Sequence, residues 1–125
     1  MYWKKGNLVS TLSEAKKSLK NCEMKIVFKK GWIPTRFDEV KKKRFSFVHI
    51  DVDLYEPTYE SLNFFYKRIN NGGVLICDDY GFETCPGATR AVDKFLENKP
   101  EKMILLSTGG GFFIKGKKTS INKWV

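Results

Sequence analysis

The sequence predicts an α/β fold built on a mostly parallel sheet, and three observations carry that prediction. Two near-continuous apolar runs, Phe45–Ile50 and residues 74–77, have the composition of strands buried on both faces of a parallel sheet. Each is followed by a segment with helical periodicity. The resulting order, strand–helix–strand–helix–strand, is that of a chain winding parallel strands through helical crossovers. Two short strands close the chain, near enough in sequence to pair as an antiparallel hairpin.

Each element has its own local signal. Thr11 and Glu14 form a capping-box pattern ahead of a short helix with Leu12, Ala15 and Leu19 on one face. Residues 24–28 read as a strand ending at Lys30-Gly31-Trp32, and Pro34 with the charged run to Arg44 reads as a loop. The Phe45–Ile50 strand stops at Asp51-Val52-Asp53. Pro57 suits the first turn of the helix that follows, Leu62, Phe65, Tyr66 and Ile69 keep its spacing, and Asn71-Gly72-Gly73 is expected to end it. The strand at 74–77 closes on Asp78-Asp79-Tyr80. Beyond Pro86-Gly87, the residues Ala88, Ala91, Val92, Phe95 and Leu96 mark a third helix, stopped before Pro100. Strands at 103–106 and 112–115 flank Gly109-Gly110-Gly111, a hairpin turn. Leu62, Phe65, Val74, Ile76, Val92, Phe95 and Leu105 are the expected core.

With 125 residues the chain is long enough for one domain, spanning 1–125, and too short for two ordinary ones. No stretch has the apolar length of a membrane span, and the charged start, Met1 to Gly6, lacks the apolar region of a secretory signal. Three cysteines, Cys22, Cys77 and Cys85, show no metal spacing and read as free thiols. These features together place the protein in the cytoplasm. The net charge of +9 lies wholly in residues 1–44, where 13 Lys/Arg face 4 Asp/Glu; the remainder is balanced at 10 of each. Such a basic part suits nucleic acid, anionic lipid or an acidic substrate. No nucleic-acid-binding motif accompanies it, so no nucleic-acid partner is expected, and Lys41 to Arg44 reads as a solvated loop.

The chemistry lies at the strand ends. In open α/β sheets ligands sit beyond the carboxyl ends of the strands. Asp51 ends one buried strand; Asp78 and Asp79 end the next. Parallel neighbours lie roughly 4.8 Å apart, so carboxylates leaving both tips can converge on one cation at the usual Mg²⁺–oxygen distance of about 2.1 Å. Without a cation they would repel and raise one another's pKa. The plainer reading is that these acids serve the backbone, Asp53 as a helix cap and Asp79 as a loop organiser. His49, the one histidine, lies within a strand two residues before Asp51 and reads as a satisfied core residue.

Three chemistries use such a cluster. A haloacid-dehalogenase-like phosphatase needs Asp-x-Asp-x-Thr/Val, and Tyr55 occupies the fifth position of Asp51-Val52-Asp53-Leu54-Tyr55. A glycosyltransferase with an Asp-x-Asp metal site leaves the second acidic pair unexplained. The third fits best. The stretch Phe47-Val-His-Ile-Asp-Val-Asp-Leu-Tyr-Glu-Pro-Thr-Tyr-Glu-Ser-Leu62 resembles the macrocin O-methyltransferase (TylF) family. So do Gly72-Gly-Val-Leu-Ile-Cys-Asp-Asp-Tyr-Gly81, Cys85-Pro-Gly-Ala-Thr-Arg-Ala-Val-Asp93 and the earlier Lys30-Gly-Trp-Ile-Pro-Thr35. The resemblance runs in order from about residue 8 to residue 117.

That resemblance implies a Rossmann-like class I methyltransferase fold and transfer of a methyl group from S-adenosylmethionine to a sugar or other hydroxyl. It implies Asp51, Asp78 and Asp79 as ligands of Mg²⁺ or another hard divalent cation, with Asp51 also catalytic and Asp53 in support. Tyr80 and Arg90 border the expected cleft as substrate contacts. The sequence departs from the family in one respect: it has neither the glycine-rich loop after a first strand nor the acidic residue after a second. Gly109-Gly110-Gly111 opens no helix and is no substitute. The chain therefore reads as the carboxyl-terminal half of the fold, lacking its first strands, with a bare edge on the Phe45–Ile50 strand. Three accounts stay open: a truncated or split enzyme, a short relative that binds metal or ligand without catalysis, and a chain that pairs with a separate amino-terminal half or as a homodimer.

Overall fold

The computed structural model describes residues 9–118. Its first element, α1 (Leu12–Ser18), is set by purely local chemistry. Thr11 Oγ1 accepts the Glu14 N–H at 3.2 Å while the Glu14 carboxylate accepts the Thr11 N–H at 2.7 Å, the capping box expected there. No residue of α1 is buried.

Residues 24–28 do not form the expected strand. A strand exists only through hydrogen bonds to a neighbour, and no neighbour is present beside this segment among the described residues. Its apolar side chains Met24, Ile26 and Val27 are exposed. A 3₁₀ turn follows at Phe37–Val40, where Phe37 stacks on Phe64 at 4.8 Å and meets Phe65 edge-on at 5.0 Å. This aromatic contact ties the turn to the helix that bears Phe64 and Phe65.

The remaining elements make a four-stranded mixed sheet with two helices. They are β1 (Phe45–Ile50), α2 (Tyr55–Tyr66), β2 (Ile69–Cys77), α3 (Pro86–Leu96), β3 (Ile104–Leu105) and β4 (Gly111–Ile114). The strand order is β1-β2-β4-β3, with β1 and β2 parallel and the other two pairings antiparallel. The hairpin matches expectation; the sheet as a whole is less parallel than expected. The segment at 24–28 adds no parallel strand, and the hairpin brings β4 back beside β2.

Alternation along the strands divides the sheet into two faces. Val48 pairs in register with Leu75 and Leu75 with Phe113, while Ile50 pairs with Cys77. This face packs against Leu62 of α2 and Val92, Phe95 and Leu96 of α3, and all these side chains are buried. The opposite face carries Phe47, His49, Val74, Ile76, Phe112 and Ile104, none of them buried. Of the expected core, Leu62, Val92 and Phe95 are buried, and Phe65, Val74 and Ile76 are half-buried. Leu105 is 60% exposed, because β3 is an edge strand of only two residues.

Two further details correct local readings. Asn71-Gly72-Gly73 does not terminate α2, which stops at Tyr66; it lies inside β2, at a bulge between the Phe45–Ile69 and Phe47–Val74 pairs. Gly72 has φ 85°, a conformation that favours glycine. At the far end of the sheet Glu101 is fully buried, accepting the Tyr66 hydroxyl and the Gly116 N–H at 2.8 Å each. Both carboxylate oxygens are satisfied, which makes its burial tolerable. No helix among the described residues is long and apolar enough to cross a membrane.

Candidate metal centre

The register of β1 and β2 builds the site. Ile50 and Cys77 are partners, and the Asp78 N–H donates to Ile50 O at 2.9 Å, so both strands end level. Asp51 and Asp78 therefore leave the sheet side by side. Asp79 is only 7% exposed, and its Oδ2 accepts the backbone N–H of Asp53 at 3.0 Å. That bond fastens the loop after β1 to the loop after β2. Asp53 itself has φ 60°, a left-handed conformation that aspartate tolerates better than most residues. It does not cap α2: the cap position belongs to Leu54, with no side-chain cap bond. Asp79 is a loop organiser, as the plainer sequence reading had it, and it is also part of the carboxylate cluster.

One oxygen each from Asp51, Asp78 and Asp79 lies within 4.8 Å of the others. A second group, Asp53, Asp79 and Cys85, meets the same distance and shares Asp79. Together these acids line a cleft of about 240 Å³ with Phe82, Thr84 and Cys85. Burial, and then the charges of Asp78 and Asp79, push the Asp51 carboxyl above its ordinary value, with His49 opposing. Burial also raises Asp79, and the charges of Asp53 and Asp78 add to the rise. Crowded carboxylates that resist ionisation are relieved by a cation.

The donor sets differ in what they suit. Asp51, Asp78 and Asp79 offer only hard oxygens, as Mg²⁺ requires. The second group includes a thiol that burial holds above its ordinary pKa. A neutral thiol is a poor ligand for a hard cation. The first group is therefore the better fit.

The sequence missed Cys85, whose Sγ lies 3.9 Å from Asp53 Oδ1. It sits at the cap of α3, just before Pro86, and lone cysteines carry no spacing signal. His49 is a plain correction. It is exposed rather than core, because no element among the described residues covers its face of the sheet, and its Nε2 lies 3.0 Å from Asp78 Oδ1. Tyr80 and Arg90 do not line the acidic cleft. The half-buried Tyr80 donates its hydroxyl to Asp93 Oδ1 at 2.8 Å, while the exposed Arg90 lines a groove of about 420 Å³ with Tyr55, Asp93, Lys94 and Glu97.

Next to the cluster is a larger, mainly apolar pocket of about 610 Å³, lined by Trp32, Ile33, Pro34, Val52, Leu54 and Pro57 with Glu56 and Glu60. Val52 and Leu54 alternate with Asp51 and Asp53, so one loop serves both cavities. No spacing in the sequence groups these residues, since Trp32 and Leu54 come together only through the fold.

Comparison with known proteins bears on this arrangement. The family model Macrocin-O-methyltransferase (TylF) matches residues 9–112. Demethyldecarbamoylnovobiocin O-methyltransferase of Streptomyces niveus is 28% identical over 85 residues, covering 66% of this chain and 32% of that protein. A tetracenomycin 4'-O-methyltransferase of Streptomyces olivaceus, acting on a rhamnosyl derivative, is 33% identical over 61 residues, covering 49% of this chain and 23% of that one. Among solved structures, the O-methyltransferase NovP superposes with a TM-score of 0.67 at 22% identity, covering 86% of this chain and 46% of NovP. The apo TDP-rhamnose 3'-O-methyltransferase of calicheamicin biosynthesis gives 0.58 at 23% identity, covering 68% and 37%. The chain thus spans about a third of the length of the novobiocin relative and under half of NovP. It belongs to the macrocin O-methyltransferase (TylF) family.

Proposed function

We propose that this member of the family carries the metal and acceptor-hydroxyl part of an O-methyltransferase acting on a sugar or other hydroxyl. One observation carries the reading: three carboxylates at the ends of adjacent parallel strands come within 4.8 Å of one another. Asp51, Asp78 and Asp79 would hold Mg²⁺ or another hard divalent cation, whose Lewis acidity lowers the pKa of an acceptor hydroxyl. Asp51, exposed at the end of β1 beside Asp78, is the member of the set assigned to the acceptor hydroxyl. Asp53 supports the set by holding Asp79 through its backbone N–H. Tyr80 steadies α3 through Asp93, and Arg90 contacts the acceptor from the groove beside Tyr55.

S-adenosylmethionine is the methyl donor that family membership implies. The pocket of Trp32, Ile33, Pro34, Val52 and Leu54 suits a flat apolar ring such as the donor's adenine, with Glu56 and Glu60 as acceptors for its amino group. The glycine-rich loop that would hold the rest of the donor is not in this sequence. Methyl transfer then requires a donor-binding segment besides these residues, from a longer chain or a separate polypeptide. The open β1 edge and the uncovered face around Phe47 favour that account over catalysis by residues 9–118 alone.

Calorimetry with Mg²⁺ and S-adenosylmethionine, separately and together, tests the reading beside an Asp78→Ala control. The expected result is metal binding by wild type, none by Asp78→Ala, and little donor affinity. Metal binding that survives Asp78→Ala would remove the metal centre, and tight donor binding would remove the need for a further segment.

A further inference from the structure

His49 stands beside the acidic cluster in a position that neither the core nor the set of three carboxylates explains. Its register partner on β2 is Ile76, so Asp78 lies two residues further along the neighbouring strand and on the same face of the sheet. Asp51 stands in the same relation to His49 on its own strand. The imidazole is long enough to reach diagonally across the pair, and its Nε2 lies 3.0 Å from Asp78 Oδ1. An ionised carboxylate only accepts, so the ring nitrogen donates. That arrangement holds whether the ring is neutral or charged. The face is otherwise apolar, with Phe47, Val74, Ile76 and Phe112, and a histidine there contributes nothing to packing against α2 or α3.

We infer that His49 is a positioning residue for the metal centre, its Nε2–H holding Asp78 beside Asp51 and Asp79. The inference rests on the metal reading above. Carboxylates that ligate metals are themselves steadied by hydrogen bonds, and removing such a partner typically weakens metal binding without removing a ligand. The same hydrogen bond commits the nitrogen that the ring turns to the cluster. His49 therefore serves the carboxylate and does not act as a base toward the acceptor.

The test titrates the full chain with Mg²⁺ by calorimetry in four proteins: wild type, Asp78→Ala, His49→Ala and His49→Gln. His49→Ala is expected to weaken binding roughly 10–100-fold. The exposed position predicts an unchanged metal-free melting temperature. His49→Gln keeps an N–H donor and is expected to recover much of the loss. Because the chain has a single histidine, a long-range ¹H–¹⁵N spectrum reports on His49 alone. It should show the Nε2–H tautomer in wild type and a redistribution in Asp78→Ala. Equal Mg²⁺ affinity in wild type and His49→Ala would overturn the inference, as would a His49→Gln protein no tighter than His49→Ala. An unchanged tautomer in Asp78→Ala would overturn it too. Failure of wild type to bind Mg²⁺ is a separate outcome: it sinks the metal centre itself, and this role with it.

Discussion

Between Val9 and Arg44 no side chain is buried, whereas the segment from Phe45 to Ile114 contains every buried residue of the described chain. Both regions follow the same local rules. The first has a capping box, an amphipathic turn of helix and an apolar run at 24–28; the second has apolar runs, helical periodicity and turn glycines. What separates them is company. The β1 strand finds β2 in parallel register, and β2 finds β4, so each apolar run pairs with a neighbour and one face of the sheet is covered by helices. The 24–28 run is as apolar, but among the described residues no strand pairs with it, and it forms no strand. Local propensity proposes an element, and burial against a neighbour decides whether it contributes stability.

The sharpest way to break that contrast is to remove a large side chain from each region. Phe113 is fully buried against the Tyr66 ring, with centroids 6.1 Å apart, while Trp32 is 86% exposed. Phe113→Ala is expected to cost roughly 3–5 kcal/mol in urea unfolding. Trp32→Ala is expected to cost under about 0.5 kcal/mol. Similar costs for the two would mean that the first region is packed in solution and the contrast is wrong.

A smaller effect sharpens it. Thr11→Ala removes the capping box and destabilises α1 by about 1 kcal/mol, visible as lost helical chemical shifts at residues 12–18. Since no residue of α1 is buried, the midpoint of global unfolding should not move. A lowered midpoint would show α1 coupled to the sheet.

The smallest effect concerns alkaline pH. Burial, and then the adjacent Asp93, push the Tyr80 hydroxyl up to about 12. A phenol whose folded pKa is raised contributes stability that is fully present below its unfolded value of about 10. That contribution is lost as pH rises through about 12. The second region should therefore loosen over that window while α1 shows no such step. Tyrosinate absorbance checks it: a late component is expected, and a single rise complete near pH 10 would remove it.

Much of the site was legible because its signals are short-range. Asp51 and Asp78 follow directly on strands that are obvious from composition, and the level ends of β1 and β2 bring them together. The helices at Tyr55–Tyr66 and Pro86–Leu96 are announced by Leu62, Val92 and Phe95, whose spacing puts them on the covered face. Other features were not legible, for one recurring reason. Whether a sheet face is covered depends on chain that is distant in sequence. His49 reads as core because it sits in an apolar strand, yet among the described residues its face is open. Leu105 shares the face of Cys77 but is exposed because it stands on a two-residue edge strand. The glycines at 72–73 looked like a helix stop and proved to be a bulge, since either use needs the same backbone freedom.

By itself the sequence determined the βαβ core, the hairpin, the capping box and the identity of the acids at the strand ends. These depend on periodicity and on residues only a few positions apart. The tertiary structure decided the partners of each strand, the exposure of His49, the bond from Asp53 to Asp79 and the approach of Cys85 and Trp32 to the same loop. The physical reason is that burial and convergence are properties of neighbours in space. A strand edge, a sheet face or a carboxylate acquires its neighbours only when the chain returns to it.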